Sequence, residues 1–145
     1  MIAGENELIS TREYDVPQEL VFRAWTSPDL LAQWWGPKGF TNTFLECDMR
    51  PGGEWRFTMH GPDGTDYPNR CAFVEIVPSE RVVIDHLLGH EFRVTATFES
   101  LDGGRCKVIF RQRFKEKEEF EKVKIYCIEG NEQNLDRLGQ LLATL

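Results

Sequence analysis

The sequence predicts an α+β fold in which one antiparallel sheet packs against a long C-terminal helix. Three observations predict it: apolar and polar residues alternate through residues 41–114, turn-forming residues interrupt this region roughly every 10 to 15 residues, and a helical period returns over about the last 28 residues. Alternation with a period of two is typical of half-buried strands, and a 3–4 spacing is typical of an amphipathic helix. Such a sheet buries one face and leaves the other in water.

A first strand is predicted over residues 7–15, and two short helices follow it. Pro17 suits the first turn of a helix because its missing N–H costs nothing there. Ser27 offers an N-cap for the second helix, which begins at Pro28. The Gly-Pro pair at 36–37 ends that helix and turns the chain into the next strand.

About six further strands are predicted between residues 41 and 114, mostly joined by short turns. The segment "EWRFTMH" shows the alternation, with Trp55, Phe57 and Met59 on one side of the strand. The segment "GPDGTDYPN" is rich in turn-forming residues and predicts a break between strands. The order of elements is therefore a strand, two short helices, an antiparallel meander and a final helix.

The final helix carries an apolar stripe from Phe120 to Leu142. Two amides, Asn131 and Asn134, share this stripe, and buried polar groups need a partner or a ligand. Gly130 lies in mid-helix, where glycine costs about 1 kcal/mol relative to alanine. It therefore predicts a close approach of another segment, or a kink.

Length and composition predict a single globular domain over residues 1–145. Hydrophobic residues make up 41% of the chain, which is enough for a substantial core. No stretch approaches the ~20 apolar residues that span a bilayer, and no secretory signal is visible, so we expect a cytoplasmic protein without a membrane span. The net charge is −7 and the basic residues are scattered, which argues against nucleic acid as a partner. The four cysteines are widely spaced and are expected to be reduced.

The chain contains none of the motifs that identify a nucleophilic serine, a P-loop or a dinucleotide-binding turn. The "RPGG" segment at 50–53 lies between strands and predicts a bulge or tight turn that bends the sheet. His86 and His90 lie four residues apart, but Gly89 and the strand pattern place a turn between them, so we expect no metal site. We therefore expect no cofactor and assign no catalytic residue.

Several segments together resemble a known family. "AWTSPDLLAQWWGP" followed by "RPGGEWR", and further on "FVEIVPSERVVI" and "VTATFES", are similar to the activator of Hsp90 ATPase homologue 1-like (AHSA1-like) domain. That domain belongs to the START / Bet v 1-like (SRPBCC, helix-grip) superfamily, and the similarity covers about residues 8 to 142. It implies a curved antiparallel sheet wrapped around the long C-terminal helix, two short helices after the first strand, and an internal cavity. Relatives often carry Gly-Trp where this chain reads "EGNEQNLDRL", so Asn131 implies a roomier or more polar cavity wall.

Candidate ligand-binding residues follow from this cavity and from the strand and helix faces. The apolar candidates are Trp35, Trp55, Phe57, Met59, Phe73, Phe92, Phe98, Phe110 and Tyr126. The polar candidates are Glu75, His86, Gln112, Asn131 and Asn134. Glu75 alternates with Phe73, so it faces the cavity if Phe73 does, and the pattern leaves open which face of strand 70–77 is the wet one. Gln112 lies near a strand end, so its side chain either faces the cavity or is exposed to solvent.

The adjacent pair Trp34 and Trp35 diverges on a helix, so one apolar face cannot bury both rings. We expect one ring to pack with Trp25 and Leu31 against the sheet, and Trp35 to face the cavity mouth. The pair is interpreted as the fastening of a lid rather than as a catalytic site.

The function expected first is binding of a hydrophobic small molecule, lipid-like or aromatic, in the cavity. An alternative is an enzyme similar to polyketide cyclases and aromatases, in which Glu75 or His86 would be the general base; the sequence favours a protein that is not an enzyme. A second alternative is an Hsp90-linked stress-response or co-chaperone module, which rests on analogy with the family. A homodimer through a sheet edge or the helical end stays open.

Overall fold

A computed structural model describes residues 2–145 and contains one seven-stranded sheet and three helices in that range. In chain order the elements are β1 (Glu7–Tyr14), α1 (Gln18–Thr26), α2 (Pro28–Trp34), β2 (Thr41–Cys47), β3 (Glu54–His60), β4 (Asp66–Val77), β5 (Arg81–His86), β6 (Phe92–Leu101), β7 (Arg105–Phe114) and α3 (Lys117–Leu142).

The strands form a curved antiparallel sheet in the order β1-β7-β6-β5-β4-β3-β2. Strands β2 to β7 follow one another as a meander, and β1 pairs with β7 over its whole length, from Glu7 opposite Arg113 to Tyr14 opposite Cys106. Consecutive strands β1 and β2 therefore lie on opposite edges of the sheet, and α1 and α2 bridge the distance between them. The predicted fold class is confirmed, with α3 packed against the buried face.

The "RPGG" turn docks on the middle of the sheet. The Gly53 amide donates to the Arg50 carbonyl at 2.8 Å, which closes the turn, while Gly52 and Gly53 exchange backbone hydrogen bonds with Phe73 of β4. A Cβ at Gly53 would lie only 1.9 Å from the carbonyl oxygen of Asp48, so no other residue fits there. The tight turn predicted from the sequence is confirmed.

The two adjacent tryptophans are separated by the end of α2. Trp34 is the last helical residue, is fully buried, and donates from its indole nitrogen to the carbonyl of Ala24 at 3.0 Å. Its ring lies 4.8 Å from that of Trp25, and Leu31 belongs to the same core. Trp35 is the C-cap with extended backbone, so its ring leaves in another direction and is only partly buried.

Candidate functional site

The connection from α2 to β2 is fastened to α3 by side chains of one helical turn. We call residues 33–38 the lid segment. Arg137 donates to the carbonyl oxygens of Gly36 and Pro37 at 3.0 Å each, and also to that of Gln33 at 3.0 Å. Asn134 Oδ1 accepts the Gly36 amide hydrogen at 3.1 Å. Arg137 thus satisfies one carbonyl in the last turn of α2 and two just beyond it, and together with the Asn134 bond this fixes the lid segment against α3.

A pocket of about 530 Å³ lies between the lid segment, the buried face of the sheet and the middle of α3. Most of the exposed surface of its wall is apolar, and seven polar side chains also reach it. The apolar wall is formed by Trp35, Pro37, Phe40, Met59, Phe92, Val94 and Phe110, with Tyr126 and Cys127 on the helix side. The polar groups at the wall are Asn69, His86, Gln112, Glu129, Asn131, Gln133 and Asn134.

Nine of the sequence-predicted ligand-binding residues line this pocket: Trp35, Met59, His86, Phe92, Phe110, Gln112, Tyr126, Asn131 and Asn134. The structure thus brings together residues from the lid segment, four strands and α3. Tyr126 contributes from the rim, since 83% of its surface is exposed. Gln112, which the sequence left between cavity and solvent, is buried at the pocket wall.

Four aromatic residues expected in the cavity wall lie in the solid core instead. Trp55 stacks on Phe57 at 4.3 Å and on Phe73 at 5.6 Å, and all three are buried. Phe98 is likewise buried, with its ring 5.9 Å from that of Trp25. The cavity-wall position predicted for these four is wrong because the rings fill that end of the space themselves, and Trp35, 5.3 Å from Trp55, forms the boundary of the pocket.

Glu75, whose direction the sequence left open, also lies outside the pocket wall. The β4–β5 pairing shifts register between Phe73 and Glu75, so the extra residue turns the Glu75 side chain to the outer face while Phe73 stays buried. The carboxylate there accepts a hydrogen bond from Arg81 and is 45% exposed. Of the two groups considered as a general base, only His86 borders the pocket.

His86 lies flat against Phe92, with ring centroids 4.5 Å apart and planes within 5°. Its Nδ1 lies 2.8 Å from the carbonyl oxygen of His90 and therefore carries a proton. Its Nε2 lies 2.7 Å from the Asn69 side-chain amide. Burial lowers the pKa of His86 below its ordinary value, so the ring is uncharged at neutral pH.

Two further side chains form a polar contact on the α3 side of the pocket. Asn131 donates to Gln112 Oε1 at 3.0 Å, which joins the helix to β7. Burial raises the pKa of the neighbouring Cys127 thiol to about 11, and a hydrogen bond with Gln112 offsets only part of this rise. Cys127 is therefore a protonated thiol at neutral pH and is not an activated nucleophile.

Sequence reasoning missed Asn69, Phe40 and Arg137 as parts of this region. Asn69 fell in the break predicted from "GPDGTDYPN", whereas β4 already begins at Asp66. Pro68 is tolerated there because residues before Cys71 pair only with β3, so its missing N–H removes no ladder bond to β5. The residues after Pro68 alternate as in a strand, but the turn-forming residues of "GPDGTDYPN" led to the prediction of a break there.

No helix within residues 2–145 is both long and apolar enough to cross a bilayer. In the same part of the chain, no three His, Cys, Asp or Glu side chains are grouped so as to hold a metal ion.

Comparison with known proteins gives the chain its relatives. The family described as activator of Hsp90 ATPase homolog 1-like protein matches residues 15–143. Protein NE0264 from Nitrosomonas europaea is 24% identical and superposes with a TM-score of 0.87, over 99% of this chain and 98% of its own. Protein CV1439 from Chromobacterium violaceum is 27% identical, with a TM-score of 0.83 over 94% and 96%. The AHSA1 (SPO3351) protein from Silicibacter pomeroyi is 23% identical, with a TM-score of 0.78 over 95% and 98%. No curated protein matches the sequence. Because the family match covers most of the chain and the fold agrees, this chain belongs to the activator of Hsp90 ATPase homolog 1-like family.

Proposed function

We propose that this protein binds a small apolar molecule in the pocket between the sheet and α3. The observation that carries the proposal is the pocket itself: about 530 Å³ with a mainly apolar wall. Pockets for small molecules typically measure about 300–1,000 Å³ and combine apolar walls with a few polar groups that orient the ligand. The aromatic rings of Trp35, Phe92 and Phe110 supply broad apolar surfaces for contact with such a molecule.

The way the wall is held supports a pocket that exists before the ligand arrives. The lid segment is tied to α3 through Arg137 and Asn134, and α3 is tied to the sheet through Asn131 and Gln112. A binding site whose walls are already in place loses little conformational entropy when its ligand binds.

Fluorescent hydrophobes test the proposal directly. We would titrate the protein with 1-aminoanthracene and, separately, with Nile red, and follow the increase in emission. A saturable signal with one molecule bound per chain is expected. Native mass spectrometry after gentle purification would look for an added mass that disappears on organic extraction.

A pair of variants assigns the binding to this pocket. Gly130 lines the pocket, so Gly130→Leu places an isobutyl group in it and is expected to weaken binding of both dyes at least tenfold. Lys122→Leu adds the same side chain at an exposed position of α3 and should bind them like the wild type. The proposal is wrong if neither dye binds saturably, or if the two variants behave alike.

A further inference from the structure

We infer that the pocket selects a molecule with an uncharged oxygen acceptor, and that the side-chain N–H₂ group of Asn134 is the donor that recognises this oxygen. The inference rests on the proposed function and adds a ligand class to it. The ligand would be an apolar molecule with a carbonyl or ether oxygen that contacts α3.

The orientation of the Asn134 amide is fixed by its neighbour. The backbone N–H of Gly36 can only donate, so the atom of Asn134 that faces it at 3.1 Å is the oxygen Oδ1. The nitrogen Nδ2, with its two N–H groups, must then point the other way. Both Asn134 and Gly36 line the pocket, so the free side of the amide faces its interior.

This nitrogen lacks a partner although its residue is almost fully buried. Asn134 is only 6% exposed, and within residues 2–145 its Nδ2 donates to no acceptor. The nitrogen itself is not enclosed by protein, because the enclosed side-chain atoms without a partner in the described residues are Trp25 Nε1, Asn42 Oδ1 and Trp55 Nε1, so a molecule in the pocket can reach it. An oxygen of a bound molecule would accept a hydrogen bond from it. A hydrogen bond of this kind changes affinity by about tenfold.

The neighbouring amides do not compete for this role. The nitrogen of Asn131 donates to the oxygen of Gln112, and the nitrogen of Gln112 is hydrogen-bonded to Cys127. Asn131 is only half-buried, so water can satisfy the rest of its amide. Among residues 2–145, Asn134 is thus the buried pocket-wall amide whose N–H₂ group meets no protein acceptor.

The charges around the pocket favour an uncharged acceptor over a carboxylate. No lysine or arginine lines the pocket within the described residues, and the ionised side chain at its wall is Glu129, which would repel an anion. The nearest guanidinium, Arg137, directs its donors at the backbone carbonyls of the lid segment instead. A carboxylate bound here would lose its hydration without gaining a cation.

The test compares three molecules of nearly the same shape. 2-Acetylnaphthalene carries a carbonyl oxygen, 2-isopropylnaphthalene has a methyl group in its place, and 2-naphthoate carries a charge at pH 7.5. Each would displace 1-aminoanthracene, which has no oxygen, from the wild type. The ketone is expected to bind about tenfold more tightly than the isopropyl compound, and the naphthoate to bind most weakly.

Asn134→Asp removes the N–H₂ donor of this side chain and keeps the hydrogen bond that the side chain accepts from Gly36. An aspartate oxygen still accepts the Gly36 amide hydrogen, but the free N–H₂ group becomes an oxygen. The ratio of ketone to isopropyl affinity should fall from about ten to about one. Asn134→Leu, which also removes the donor but adds no charge, should give the same ratio near one, and because both compounds are measured on one variant, loosening of the fold cancels. Gln140→Glu adds the same charge to α3 at an exposed position outside the pocket wall and should keep the wild-type ratio.

The outcomes distinguish the two proposals. A wild-type ratio near one with normal dye binding overturns the inference and leaves the proposed function standing. A ratio that stays near ten in both Asn134 variants places the donor elsewhere and also overturns it. Naphthoate that binds as well as the ketone overturns the selection against charge. Failure of the wild type to bind any of the dyes or naphthalenes overturns both proposals.

Discussion

The guanidinium of Arg137 lies 3.0 Å from the carbonyl oxygen of Gly36, and it is held there by backbone carbonyls alone. Further bonds reach the carbonyls of Pro37 and Gln33, and no carboxylate within residues 2–145 forms an ion pair with it. Burial lowers the pKa of Arg137, yet the group remains charged at every accessible pH. A cation thus sits at the C-terminal end of α2, where the helix dipole favours it.

Removing this cation should loosen the lid segment. Arg137→Met keeps most of the side-chain length but leaves several carbonyls without a donor, so we expect the free energy of unfolding to fall by about 2 kcal/mol. Urea denaturation measures this loss, and hydrogen exchange should be faster in the lid segment. Arg23→Met, at an exposed position of α1, should change stability by less than about 0.5 kcal/mol. Equal effects of the two substitutions would contradict the role assigned to Arg137.

Alanine should stabilise α3 at Gly130 but not at Gly139. At Gly130 an added Cβ would come no closer than 3.6 Å to Pro37, an ordinary contact, so Gly130→Ala should stabilise the helix by up to about 1 kcal/mol. At Gly139 the same Cβ would lie 3.1 Å from the Tyr14 ring, so the ring must move and the gain in helix propensity should be lost. Thermal unfolding of the two variants measures the difference. A Gly139→Ala protein as stable as Gly130→Ala would show that Tyr14 yields freely.

Tyr14 is expected to stabilise the contact between β1 and α3 through its hydroxyl group. The hydroxyl donates to the Leu135 carbonyl at 2.6 Å, and burial raises the pKa of Tyr14 above its ordinary value. Tyr14→Phe should lower the free energy of unfolding by about 1 kcal/mol. Tyr126→Phe, whose ring is exposed, should have almost no effect. Chemical denaturation at pH 7 compares them, and a neutral Tyr14→Phe change would remove this bond from the account.

His86 should make the protein less stable in mild acid. Its pKa is lowered in the folded state, mainly by burial, so the unfolded chain binds the proton more readily. Stability from this group is therefore complete above the unfolded pKa, near 6.5, and is lost as the pH falls toward the folded pKa. His86→Gln should lose less stability than the wild type between pH 7.5 and 5.5. A direct NMR titration should place the His86 pKa below 6.5, and a higher value would reverse the sign.

The fold was predictable from the sequence because each element carries its own period. Alternation in segments such as "EWRFTMH" fixes which side of a strand is buried, and the stripe of α3 fixes the face it turns to the sheet. The break at "WWGP" also sufficed to separate the two tryptophans. These signals lie within single segments, so they can be recognised without knowing which segments pack together.

The wall of the pocket was less predictable because burial and pocket contact are different properties. Phe73 and Phe92 both lie on buried strand faces. Neighbouring rings fill the space around Phe73, which makes it a core residue, but they leave space beside Phe92, which therefore lines the pocket. The direction of Glu75 stayed open because one extra residue in β4 reverses the alternation, and nothing in the letters "FVEIV" marks that bulge. Asn134 was found, but its free nitrogen depends on Gly36, 98 residues away.

The fastening of the lid segment also limits how a molecule can reach the pocket. Gln133, Asn134 and Arg137 all lie within one turn of α3, so the lid segment and that stretch of helix move as a single body. Lifting the lid segment away from α3 would break all of these bonds at once. We therefore expect a ligand to enter and leave at the opposite rim of the pocket, beside the exposed ring of Tyr126. Rotation of that side chain alone would widen the pocket opening there.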